Sequence, residues 1–198
     1  IYIDFGPTSL SATPWNNITS HQESSTTSWI KDVENNYTNI GVRVLDGFTA
    51  THAGVGSEPA SPVTVDGVEF PLTAWKDGLL VKGEKNQGDV GPGRIEISQL
   101  DVARKYNFTI LAIRFNGSKD ARISSYKLVG KTESAVKEVR QGIKDAASFA
   151  AANFEEYIAK FENVEPDSEG KVIVEVKGLD TGSAAEGHIN ALCISLAK

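Results

Sequence analysis

Between Arg94 and Val129 the chain reads RIEISQLDVARKYNFTILAIRFNGSKDARISSYKLVG, three apolar runs separated by turn residues. In the first run Ile95 and Ile97 alternate with Arg94, Glu96 and Ser98, the period-2 pattern of a strand with one dry and one wet face. From Tyr106 to Phe115 both alternating sets are apolar: Tyr106, Phe108, Ile110 and Ala112 on one, Leu111, Ile113 and Phe115 on the other. That pattern predicts a strand inside a sheet. Asn116-Gly117 supplies a turn tolerant of positive φ, and the β-branched and aromatic run from Arg122 to Val129 returns. Three consecutive strands of this kind predict a meander.

Similar patterns recur on both sides. Ile1 to Phe5 is a short apolar strand closed by Gly6-Pro7, and a Ser-, Thr-, Pro- and Asn-rich loop runs to about Ser28. Asn39 to Phe48 alternates around Val42, Arg43 and Val44 and closes at Asp46-Gly47. Thr49 to Gly93 is a long excursion with strand-like pieces at Val63 to Val65, Val68 to Phe70 and Leu79 to Val81. Lys131 to Phe161 mixes strand and helix preferences. Gly142 interrupts any single helix there, so the segment divides into a strand to about Val139, a short helix or irregular insert near residues 143–152, and a strand at Tyr157 to Phe161. After the turn VEPDSEG, Lys171 to Lys177 alternates with Val172, Val174 and Val176 on one face. His188 to Leu196 is apolar on both sets and is expected to pair near the N-terminal strand. Strands predominate, which predicts an all-β fold, a two-sheet antiparallel sandwich.

Composition narrows the class. The 198 residues are 40% hydrophobic, with 18 Gly and 7 Pro mostly between apolar runs, and no linker divides them. One domain spanning 1–198 is expected. A net charge of −6 with dispersed basic residues argues against nucleic acid, whose binding rests on clustered Lys and Arg. No apolar run approaches the ~20 residues of a membrane span. The single cysteine, Cys193, lies in HINALCISLA and is expected to be a buried small hydrophobe. The chain opens on IYIDF without Met, which suggests a removed signal peptide and a secreted, periplasmic or cell-surface location. Sequons at Asn17, Asn36, Asn107 and Asn116 are set aside as chance products of Asn-rich segments.

IYIDFG at the start, TPWNNIT after it, LDVARKYNFTILAIRF followed by ARISSYKLVG, then FENVEPDSEGKVIVEV and GHINALCISL at the end form a pattern spread over nearly the whole chain. It resembles the galactose-binding-like β-sandwich domains, malectin-like in outline, of secreted bacterial proteins that act on polysaccharides. The resemblance implies jelly-roll connections and a polysaccharide or glycan partner met by loops at one end or by a concave face. It implies no cofactor, apart from a structural calcium that such sandwiches can carry; no Asp-x-Asp-x-Asp-Gly loop identifies one.

A pyranose offers an apolar C–H face and a rim of hydroxyls, so an aromatic ring beside carboxamides and guanidinium groups suits it. Trp15, Asn16 and Asn17 place such groups side by side, Arg114 ends the expected interior strand, and Trp75 follows a Pro-Leu-Thr segment. These five are the candidate ligand-binding residues. Each has a structural reading as well: Trp15 as a plug over the core, the two asparagines as makers of Asx turns, the arginine as half of a surface ion pair. Trp29 is assigned to the core.

No catalytic residue is assigned. The three histidines, His21, His52 and His188, show no His-x-His or His-Glu-x-x-His spacing. There is no Gly-x-Ser-x-Gly elbow and no Gly-Asp-Ser start. Glu58, Asp66, Asp77 and Glu186 are the acids from which a glycosidase pair would be drawn.

Overall fold

In the computed structural model the described residues are 1–8, 10–54, 56–82, 92–115, 122–179 and 186–198; the Asn116-Gly117 turn lies outside them. Two sheets face each other. One has five strands in the order Ile158–Val164, Tyr106–Leu111, Ala191–Leu196, Tyr2–Phe5, Trp15–Ile18. The other has six, in the order Lys137–Arg140, Ile123–Val129, Val172–Gly178, Gly93–Ser98, Gly41–Asp46, Thr26–Thr27. Neighbours are antiparallel except for Trp15–Ile18, which runs parallel to Tyr2–Phe5 with Tyr2 opposite Trp15. The core between the sheets takes Ile3, Phe5, Phe108, Ile110 and Leu192 from the first and Val44, Ile95, Ile97, Tyr126, Val174 and Val176 from the second.

The expected all-β sandwich is therefore present, and Val172, Val174 and Val176 face inward as their alternation requires. The meander is not. Gly93–Ser98 and Ile123–Val129 belong to the six-stranded sheet, whereas Tyr106–Leu111 between them in sequence belongs to the five-stranded one. The chain crosses the core twice, because each strand finds its partner far away: Tyr106 lies opposite Leu196, and Val174 opposite Ile95. The segment after Gly6 also differs from a plain loop, since Trp15–Ile18 joins the sheet edge. The 131–161 division holds in outline: a strand at Lys137–Arg140, a helix at Ala146–Ala150 capped by the Asp145 carboxylate accepting from Ser148 N–H, and a strand at Ile158–Val164.

A small third sheet, Ala50–His52, Gly78–Lys82 and Glu186–Ile189, lies at one end and adds Leu79, Val81 and Ile189 to the core. Two glycines permit its approach. A Cβ on Gly178 would stand 2.5 Å from Gly187 N, and one on Gly187 would stand 2.5 Å from Lys177 C.

The outer face of the five-stranded sheet is half covered. Val63–Val65, Val68–Phe70, the short helix Leu72–Trp75 and the helix Ala146–Ala150 build a second core over Leu111, Ala191, Ile158 and Cys193. Cys193 is buried in it, and burial pushes its thiol up to about 12. Beyond this cover the same sheet is open.

Candidate functional site

The open half is a depression of about 560 Å³. Its floor follows from strand register: Lys160, Thr109, Cys193 and Tyr2 lie side by side across four strands, with Asn107 and Ser195 in the row next to them. Val33 lines it from one neighbouring segment, and Asp66 and Val68 from another. Lys160 holds that second wall through ion pairs with Asp66 and with Glu155, the latter at 2.7 Å. The floor thus presents hydroxyl, carboxamide and ammonium groups beside the Tyr2 ring, and Val33 and Val68 give the walls apolar surface. The Tyr2 ring packs tilted against Trp15 at 5.1 Å between ring centroids, and Trp15 tilted against Phe70 at 5.5 Å. On the far side of this aromatic step Trp15 lines a second depression with Leu10, Pro14 and Glu69.

The candidates read from sequence do not form one group. Trp15 is half-buried at the shoulder just described. Asn16 is consumed by the backbone: its Nδ2 donates to Tyr2 O and Lys31 O, both at 2.9 Å, and its Oδ1 accepts from Lys31 N at 2.7 Å. Asn17 clasps Ser11 in the same way, accepting from its N at 2.7 Å and donating to its O at 3.0 Å. Trp75 is a correction: it is fully buried, stacked on Phe149 at 4.9 Å with its indole N–H donated to Ser61 O, so no ligand reaches it. Arg114 sits past Leu111 in a separate short strand, Arg114–Phe115, that pairs with Gly142–Ile143, so the expected interior strand stops at Leu111 and the arginine lies away from the open half. It shares Glu186 with Arg122, at 2.6 and 2.7 Å.

The acids are placed separately too. Glu186 is held by the two arginines, Asp66 by Lys160, and Asp77 is buried and accepts from Thr8 N and Oγ1 at 3.0 and 2.9 Å. Glu58 accepts from Gly56 N at 2.9 Å. His52 and His188 meet edge to face at 5.4 Å beneath the arginines. Burial, then the Arg114 charge, pushes His52 down to about 4, and burial takes His188 well below the usual imidazole range. Both are neutral at neutral pH. Among the described residues no group of three or more His, Cys, Asp and Glu side chains converges as a metal site would need.

One buried carboxyl is poised to titrate. Asp4 is 1% exposed, and burial raises its pKa to about 7, against the hydrogen bonds from Ser11 and with help from the nearby Asp77 charge. The folded protein therefore holds this proton more tightly than the unfolded chain does. Stability from this group is full below about pH 4 and falls as pH rises to about 7, where Asp4 ionises in its buried site. The Asp4→Asn variant should lose that slope and melt higher than the wild type above pH 7; a thermal melt series across pH checks it. Unchanged slopes would mean that Asp4 ionises freely.

Sequence reasoning missed Tyr2, Asn107, Thr109 and Ser195 on the open floor. It also misplaced Trp29, which is 65% exposed.

No family model matches the chain, and no curated protein matches it. Solved structures do. The extracellular domain of ANXUR2 from Arabidopsis thaliana superposes with TM-score 0.51 at 9% identity, over 78% of this chain and 41% of that one. A chain of the complex of plant peptide RALF23 with FER and LLG2 superposes with TM-score 0.50 at 11% identity, over 90% and 55%. The likeness is one of fold, an all-β sandwich. The chain spans about half the length of these two matches. TmCBM61 in complex with β-1,4-galactotriose also matches, over 78% and 88% at 12% identity, with a TM-score of 0.37, too loose to bear on the site. Among the described residues no helix is long and apolar enough to cross a membrane.

Proposed function

We propose that the chain is one noncatalytic glycan-binding domain of a secreted or cell-surface protein, and that it grips an oligosaccharide across the open half of its five-stranded sheet. The observation that carries this reading is the mixed lining of that depression. The Tyr2 ring and the Val33 and Val68 walls suit the C–H faces of sugars, while Asn107, Thr109, Ser195, Lys160 and Glu162 offer donors and acceptors to hydroxyls. Trp15 supports the Tyr2 ring and meets the ligand where it passes the aromatic step. Asn16 and Asn17 contribute by fixing the Trp15 strand, and Arg114 by fixing the far end of the fold.

The chemistry in place favours the reading of binding without turnover. Burial raises the Cys193 thiol to about 12, His52 Nε2 and both ring nitrogens of His188 have no hydrogen-bond partner among the described residues, and the acids named above are separately engaged.

The test is a screen of plant and bacterial polysaccharides by affinity electrophoresis, run beside assays for reducing-end release and acetyl-ester cleavage. Retardation without turnover is expected. Tyr2→Ala should then weaken retardation several-fold, since an aromatic stack contributes about 1–3 kcal/mol. Turnover of any retarded polymer would replace this reading with a hydrolase, and absence of retardation would leave a structural role.

A further inference from the structure

The hairpin from Ser28 to Gly41 holds an exposed tryptophan in an unusual backbone. Trp29 has φ 64° and is 65% exposed, although the left-handed region is costly for a bulky side chain. The conformation is imposed from both sides. Next to it Ile30 is buried in the core, its N–H donates to Ile40 O at 3.1 Å, and its C=O accepts from Thr38 N at 2.9 Å and Thr38 Oγ1 at 2.6 Å. Across a depression of about 380 Å³ stands Gln99, a second non-glycine residue at positive φ, 62°. Ser28, Asn39, Gly41 and Ser98 complete the lining.

Strained residues persist where the surrounding structure over-determines them, and they cluster at binding sites. Here the two share one depression, and their polar groups are uncommitted. The Trp29 indole N–H and the Asn39 and Gln99 carboxamides make no hydrogen bond among the described residues, in contrast to Asn16 and Asn17, whose polar groups are all used. Among the described residues no charged side chain lines the depression. We infer that Trp29, Asn39 and Gln99 form a second binding site, for a single neutral pyranose ring stacked on the indole. The absence of charge selects against uronic acids and sulfated sugars, which would leave an anion without a counter-charge.

This site is separate from the groove on the five-stranded sheet. It stands whether or not the groove binds glycan.

The experiment follows tryptophan fluorescence during titration with methyl glycosides of glucose, galactose, mannose and xylose, with methyl glucuronide as the charged control. It uses the wild type, Trp29→Gly, Gln99→Ala and Thr109→Tyr, the last of which fills the groove. Glycine suits φ 64°, so Trp29→Gly removes the platform without straining the hairpin. At least one neutral glycoside should bind the wild type and Thr109→Tyr alike, and methyl glucuronide should bind both more weakly. Its affinity should fall roughly ten-fold or more in Trp29→Gly by calorimetry, and several-fold in Gln99→Ala, with melting temperatures unchanged or raised in Trp29→Gly. Three results would each overturn the proposal: no glycoside bound by the wild type, affinity retained in Trp29→Gly, or a sharp fall in the melting temperature of Trp29→Gly, which would make Trp29 a structural residue. Loss of the same binding in Thr109→Tyr would assign it to the groove instead.

Discussion

Asn190→Ala should destabilise the protein by about 3 kcal/mol or more, because one buried carboxamide satisfies three backbone groups from two distant segments. Its Oδ1 accepts from Ile113 N at 2.6 Å, and its Nδ2 donates to Trp75 O at 2.9 Å and to Asp77 O at 2.6 Å. Asn190 is fully buried, so water does not replace these partners in the folded state. Each orphaned buried group costs about 1–3 kcal/mol. Asn190→Asp should fare no better, since a carboxylate keeps the bond from Ile113 but faces two carbonyl oxygens. Urea unfolding with the slope unchanged measures the loss. A loss below about 1 kcal/mol would mean that the three groups find other partners and that the end of the fold is less tightly knit than described.

Trp75→Ala should cost about 3–5 kcal/mol, the range for emptying an aromatic site in a packed core. Its ring is 0% exposed, stacks on Phe149 and sits in the second core with Phe70 and Val63. Trp75→Phe keeps most of the apolar contact but gives up the bond to Ser61 O, so roughly 1 kcal/mol should be lost beyond the change in volume. Any ligand affinity should survive in whatever fraction remains folded. Loss of affinity with stability intact would reinstate Trp75 as a ligand contact.

The three tryptophans show what local pattern can and cannot decide. Trp15 and Trp29 stand among polar or turn-forming residues and Trp75 among mixed ones, and the local sequence does not separate platform from plug. Their environments come from distant segments: Phe149 over Trp75, Tyr2 and Phe70 around Trp15, and the Ile30–Ile40 pairing that turns Trp29 outward. The strands themselves were legible, because period-2 alternation is local. Their assignment to sheets was not, since pairings such as Tyr106 with Leu196 join positions far apart in the sequence.

Two signals were present and unread. In Tyr106–Leu111, Asn107 and Thr109 are polar members of the same alternating set as Leu111, which marks a face covered at one end and open at the other. In HINALCISL a lone carboxamide between Ile189 and Ala191 calls for buried partners and a break in the strand, and the structure has both: the strands end at Ile189 and resume at Ala191.

The central claim is that glycan lies across the open half of the five-stranded sheet, and its most direct test is to fill that half. Thr109 is on the floor between Lys160 and Cys193, and its side chain points away from the main core, so Thr109→Tyr should occupy the depression while keeping a strand-forming residue in place. With the best-retained oligosaccharide as titrant, calorimetry of wild type and variant side by side should show affinity falling at least roughly ten-fold, with melting temperatures within a few degrees. Equal affinities in two equally stable proteins would contradict the claim and move the glycan elsewhere on the molecule.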